Sequence, residues 1–230
     1  MKVVRITLRW LFLLVLLVLG LTLLVLLLFR FVNPPTTAFI VGYQIESGSP
    51  SGVRQTWVPL EEISPWMPLA VIASEDQRFL SHWGVDTNAI VAAVNDFRDG
   101  DGLRGASTIT QQTAKNLFLW GGRSYFRKGV EAVLAMAMDG LWPKRRIMEV
   151  YLNVAEFGPG LYGVEAASQA HFGVSADQLT AIQAARLAAV LPNPKVFDAS
   201  HPSPYVWERV SWIRRQMDQL GGTRLVGNFY

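Results

Sequence analysis

Apolar residues run from Trp10 to Phe29 without a single charge, the strongest pattern in the chain. At ~1.5 Å per residue the run is long enough to cross a bilayer core of ~30 Å, and it has no comparably favourable place in water. Arg9 and Arg30 bound it, with Lys2 and Arg5 further out. Asn33-Pro34-Pro35 then stops any helix, because proline lacks a donor and clashes with the preceding turn. A cleaved signal peptide would share the basic start, but its apolar core is usually only ~7 to 15 residues. A transmembrane anchor over residues 10–32 is therefore predicted. Lys2, Arg5 and Arg9 against a lone Arg30 place residues 1–9 in the cytoplasm and the bulk of the chain outside it.

Residues 33–57 mix Gly, Pro, Ser and β-branched side chains, and predict a linker with a short strand at Phe39-Ile40-Val41 and a flexible turn from Ser47 to Gly52. The pattern turns helical from Pro65, within a single domain over residues 58–230. Asp86 can cap a helix with Ile90, Val91, Val94 and Phe97 on one face. Ser107 or Thr108 opens a helix through Leu117, and Ser124 opens another through Leu141, closed by Trp142-Pro143. Ile147 to Leu152 form the next. Ser175 with Gln178 reads as a capping box leading into an Ala-rich helix that Pro192 and Pro194 end beyond Val190. In the last helix Trp207, Val210, Ile213, Met217 and Leu220 share the buried face, and Arg209, Arg214 and Arg215 lie elsewhere.

Composition narrows the chemistry. The chain has no cysteine, which excludes a disulfide framework and a thiolate metal site. A net charge of +3 is small for a nucleic-acid binder, so no nucleic-acid partner is expected and an anionic ligand must be met by local clusters. His82, His171 and His201 are too scattered for a dedicated zinc site.

The segment Glu75 to Gly84 gathers acids, a base and aromatics at the end of an apolar run. If Glu75 is partly buried, desolvation raises its pKa toward the range of a general base; a solvated helix end with Asp76 near Arg78 is the plainer reading. From Gly105 to Asn116, helical spacing sets Thr108, Gln111 or Gln112, and Lys115 on one polar face beside a helix N-terminus, which suits a sugar or phosphate. The alternative is an ordinary capping box of Thr108 with Gln111. Arg127 and Glu131 are four apart and could form a plain surface ion pair. Against that, Lys115, Arg123, Arg127 and Lys128 crowd cations into a short stretch, as a phosphate-rich ligand would need. Trp120, Tyr125 and Phe126 beside these cations read either as a membrane-interface patch or as core.

Glu75-Asp76 with Phe79, His82 and Gly84; Gly105 to Asn116; Arg127-Lys128 with Glu131; Ile147 to Asn153; and Glu156-Phe157-Gly158 through Phe172-Gly173 form five ordered motifs. Together they resemble the glycosyltransferase family fifty-one domain of peptidoglycan synthases, over roughly Val58 to Val196. The chain departs from the family at His171, where Tyr is usual, and at Ala106, where Gly is common.

The resemblance implies a mainly α, lysozyme-like helical glycosyltransferase domain with a small membrane-proximal lobe. It implies polymerisation of lipid II by transfer of a lipid-linked growing chain, with Glu75 as base and Glu131 as a second acid. Asp76, Phe79, His82, Ser107, Thr108, Gln111, Gln112, Lys115, Asn116, Arg123, Arg127 and Lys128 are then the expected substrate-binding residues. Glu131 could also help hold a divalent cation, Mg²⁺ or Mn²⁺, at the substrate diphosphate; no organic cofactor is implied. Expected partners are lipid II, the lipid-linked glycan chain, membrane lipids and proteins of cell-wall synthesis or division. The competing readings are a membrane-anchored lytic enzyme acting on finished glycan, which would have no use for the basic cluster, and an inactive scaffold, which would not need both acids.

Overall fold

A computed structural model describes residues 2–48, 52–89, 91, 107–122 and 124–230. The chain divides into a unit at Met1–Pro35 and a larger one at Thr36–Tyr230. The first is helix α1 (Lys2–Phe29), whose stretch Val4–Phe29 is long and apolar enough to cross a membrane. At 26 residues it measures about 39 Å. Its side chains are exposed nearly throughout, as suits a helix whose solvent is lipid.

The second unit is mainly α. It opens with α2 (Ala38–Ser47), where a strand was expected at Phe39-Ile40-Val41. The β-branched residues point toward strand, but Thr37 accepts the Ile40 N–H in its side chain, and Gly48 closes the helix at φ 63°. A local cap at each end outweighs the weak preference of two side chains. The sheet is small: β1 (Arg54–Gln55), β2 (Glu156–Gly158) and β3 (Leu161–Tyr162), in the order β1-β3-β2. β1 runs parallel to β3, and β2 antiparallel to it.

Three helices carry the core. In α3 (Trp66–Glu75) every residue from Met67 to Ala73 is buried, and in α6 (Lys144–Val154) every residue from Arg146 to Val154. Between them α4 (Ile109–Phe118) packs on α6 and on α5 (Tyr125–Leu141). Full burial of each Leu, Ile, Met or Phe in such a core is worth about 1.5–3 kcal/mol. The capping box predicted at the start of α4 forms, with Thr108 and Gln111 each accepting from the other's backbone. Ser124 caps α5, and Trp142-Pro143 ends it, as the sequence predicts.

After α7 (Val164–Phe172) the chain corrects another expectation. Ser175 precedes only a short 3₁₀ turn, Ala176–Gln178, and the capping box belongs to Thr180 and Gln183 at the start of α8 (Ala181–Val190). Both sites carry the same hydroxyl and glutamine spacing; only the second is followed by an unbroken run of helix formers. In α9 (Pro204–Gln219) the buried face is Val206, Val210, Ile213 and Met217. Trp207 is exposed and Leu220 half-exposed, so the stripe begins one residue earlier than read. That shift turns Arg209 toward α3. A final 3₁₀ segment, Gly222–Phe229, closes the fold beside α3. Asp86 accepts from the Asn88 and Ala89 amides as the expected cap, while Ile90, Val94 and Phe97, expected on one face behind it, lie outside the described residues.

Candidate active site

Glu75 is the last residue of α3, its side chain 13% exposed. Its Oε2 accepts from Gln112 Nε2 at 3.0 Å, and its Oε1 from Arg209 Nη2 at 3.3 Å. Burial pushes the carboxyl above its usual range, and the Gln112 hydrogen bond, Arg209 and Lys115 pull it back in part. Tyr151, buried in α6, donates its hydroxyl to Gln112 Oε1 at 3.1 Å, which fixes the amide with its NH₂ toward Glu75.

The neighbouring residues frame this carboxylate. Asp76 Oδ2 takes His82 Nε2 at 2.8 Å and the Ile109 amide at 3.0 Å, so a carboxylate sits at the N-terminus of α4. Thr108 donates to the Gly84 carbonyl. Gly84, at φ +75°, passes so close to α5 that an added Cβ would lie 2.5 Å from the Ala135 carbonyl oxygen. Asp76, His82, Thr108 and Gln111, all expected to bind substrate, are thus buried and engaged with one another or with backbone. Phe79 is also placed differently from expectation. It is fully buried against the His82 ring, with the Lys144 ammonium 4.7 Å from its centroid, and packs the floor of the site.

The cationic side of the site is built by α4 and α5. Glu131 is 2% exposed, and it receives Arg127 Nη1 on Oε2 at 2.8 Å and Lys128 Nζ on Oε1. Lys128 also reaches Ser107 Oγ at 2.7 Å, and Arg127 Nε the Gly122 carbonyl at 2.8 Å. Lys115 lies within electrostatic reach of Glu131, Arg127, Lys128 and Glu75. Burial lowers its pKa, the two carboxylates oppose that, and its ammonium stands 5.1 Å over the Phe39 ring. Gln112, Lys115 and Asn116 line a cavity of about 170 Å³ with Tyr151 and Glu156. Glu75, Asp76, Ser107 and Thr108 line a second, of about 260 Å³. Arg123 lies outside the described residues.

With both oxygens on cations, Glu131 is arranged as an anchor for basic side chains. The described residues contain no group of three or more His, Asp or Glu side chains that could hold a metal ion. This set offers no ready-made cage of protein ligands, so a divalent ion at Glu131 would be shared with phosphate oxygens of the substrate.

Sequence reasoning missed Arg209 and Tyr151. Arg209 lies 134 positions from Glu75, and its only local signal is the one-residue register of the α9 stripe. Tyr151 reads as an apolar core position of α6, which it is, apart from its hydroxyl.

Comparison with known proteins agrees with this geometry. Residues 42–218 match the family model described as Transglycosylase. A biosynthetic peptidoglycan transglycosylase of Marinomonas sp. (strain MWYL1) is 58% identical over 197 residues, covering 86% of this chain and 85% of that protein. Proteins of the same name from Shewanella frigidimarina (strain NCIMB 400) and Pseudomonas fluorescens (strain SBW25) are 56% and 55% identical, over 84% and 86% of this chain and 82% and 84% of theirs. With the match running from α2 to α9 and taking in both acids and the cations between them, the chain belongs to the transglycosylase family.

Proposed function

We propose that this enzyme is a peptidoglycan glycosyltransferase that polymerises lipid II, using the lipid-linked growing chain as donor and lipid II as acceptor. The observation that carries this reading is a buried carboxylate, Glu75, joined to a cation cluster by Lys115, which feels both Glu75 and Glu131. Glu75 takes the proton of the acceptor 4-hydroxyl as that oxygen bonds to the anomeric carbon of the donor. The bond from this carbon to the diphosphate oxygen breaks on the opposite face, so the configuration inverts and undecaprenyl diphosphate leaves with the bonding electrons.

A diphosphate is already a good leaving group, and it needs charge stabilisation more than a strong acid. Lys115, Arg127 and Lys128 are pre-placed to provide it, with Glu131 holding the last two in position. Neutralisation is therefore assigned to the chain's own cations. A hydrolase cutting finished glycan would have no diphosphate to offer such a cluster.

Location supports the same chemistry. Three cations before the apolar run from Trp10 to Phe29 and one after it favour a cytoplasmic N-terminus and a domain on the outer face of the inner membrane. Trp120, Tyr125 and Phe126 are 56%, 99% and 75% exposed, next to Arg127 and Lys128. Further along α5, Val133 and Met136 are exposed as well. Aromatic rings and apolar side chains beside cations suit the headgroup layer, where the diphosphates of both substrates lie while their polyprenyl tails enter the hydrocarbon core. Incubation of the purified protein with lipid II tests the reading: it is expected to yield glycan polymer and polyprenyl diphosphate in step. Shortening of preformed glycan, with lipid II untouched, would overturn it.

A further inference from the structure

Glu75 has two oxygens and two kinds of neighbour. Oε2 is held at 3.0 Å by Gln112, whose orientation Tyr151 fixes from the core. Oε1 meets Arg209, the charged residue that α9 turns toward α3, at 3.3 Å. The Arg209 side chain is 22% exposed, and its Nε is buried without a hydrogen-bond partner among the described residues. A guanidinium carries five donors, and leaving one of them dry costs free energy, so a placement chosen for stability alone would satisfy it. What this geometry secures is a full positive charge against the base.

The helix that delivers Arg209 is fixed in place. Val206, Val210, Ile213 and Met217 bury one face of α9, and near its far end Gln216 accepts from Gln77, two residues past Glu75. Among the described residues, other charges around Glu75 are few. From α4 comes Lys115, from α6 the Tyr151 hydroxyl, and from its own segment Asp76, whose Oδ2 is taken by His82 and the Ile109 amide. α8 brings none, since its one charged residue, Arg186, donates to the Ala199 and Ser200 carbonyls. The Gly222–Phe229 segment has only Arg224, which is exposed. Lys115 is shared with Glu131, Arg127 and Lys128, which leaves Arg209 as the cation in direct contact with Glu75 among the described residues.

We propose that Arg209 is a positioning residue for the base: from α9 it keeps Glu75 ionised and holds one carboxylate oxygen, while the Gln112–Tyr151 pair holds the other. This rests on Glu75 being the base. Without Arg209 the buried carboxylate would be protonated over more of the working pH range and would have nothing to accept the hydroxyl proton with.

The test is the pH profile of lipid II polymerisation by the full-length protein in detergent, with folding followed by thermal melting. Arg209→Gln is expected to move the acid limb to higher pH, with a loss of about tenfold on the acid side that recovers on the alkaline plateau. Arg209→Lys keeps the charge, so its acid limb should stay near that of the wild type while the plateau falls. A loss by the same factor at every pH, an unchanged profile, or an acid limb displaced by Lys as far as by Gln would each overturn the proposal. If Arg209→Gln does not fold, the Lys variant alone decides, by where its acid limb lies. An active Glu75→Gln would instead overturn the base assignment, so the two failures are distinguishable.

Discussion

Glu75 is destabilised as an anion by the burial that makes it a useful base. Its folded pKa lies above the ordinary value, so the stability linked to this group is present at low pH and lost as pH rises through the folded pKa. At neutral pH, Glu75→Gln is therefore expected to melt at the same temperature as the wild type or higher, a trade between stability and activity usual for catalytic groups. In the proposed mechanism Lys115 and Arg127 face the opposite task, meeting charge that develops on the departing diphosphate. Lys115→Ala and Arg127→Ala should each cost about 10²–10³ in kcat/KM and weaken binding of a diphosphate-bearing donor, measured with purified substrate. Unchanged donor affinity would remove them from that role.

These residues were legible because their neighbours in space are neighbours in sequence. Arg127, Lys128 and Glu131 share a helix face by spacing alone. Arg209 was not legible, because its meaning depends on α9 crossing α3, and nothing in the residues around it announces that crossing. Phe79 and Gln111, expected to meet substrate, are buried, and at the edge of a site, sequence cannot separate side chains that line a cleft from those that support it.

At the scale of elements, the site depends on where α3 ends and α4 begins. Asp76 closes α3 and holds the first amide of α4, and Thr108 ties the α4 cap to Gly84. Gly84 in turn lies against the α5 backbone at a φ that other residues rarely adopt. Gly84→Ala should destabilise the protein by about 2 kcal/mol, seen as a lower Tm, with activity falling as the frame shifts. Helix boundaries with a hydroxyl cap and a following periodic run, as in α4 and α5, were readable. At α2 two β-branched residues pointed to a strand and the Thr37 cap went unread, and at Ser175 a spacing was taken for a cap without an adequate helix behind it. In each case a local feature decides: caps at both ends for α2, and an unbroken run of helix formers behind Thr180 but not behind Ser175.

For the whole molecule, the apolar helix and the exposed aromatic patch are proposed as two means to one end. Both substrates carry polyprenyl tails, so a tethered domain meets them at a high effective concentration. Removing residues 1–32 should leave polymerisation in detergent nearly intact and reduce it strongly in liposomes that contain lipid II. Trp120→Ala with Phe126→Ala in that shortened protein should further weaken liposome binding; binding equal to that of the shortened parent would argue against an interfacial role. The central claim is more local, that a buried glutamate at the end of α3 removes the acceptor proton. Its most direct test is lipid II polymerisation by Glu75→Gln, with thermal melting to confirm the fold. A folded protein that makes no detectable glycan is the expected result, and near-normal glycan synthesis by the same protein would contradict it.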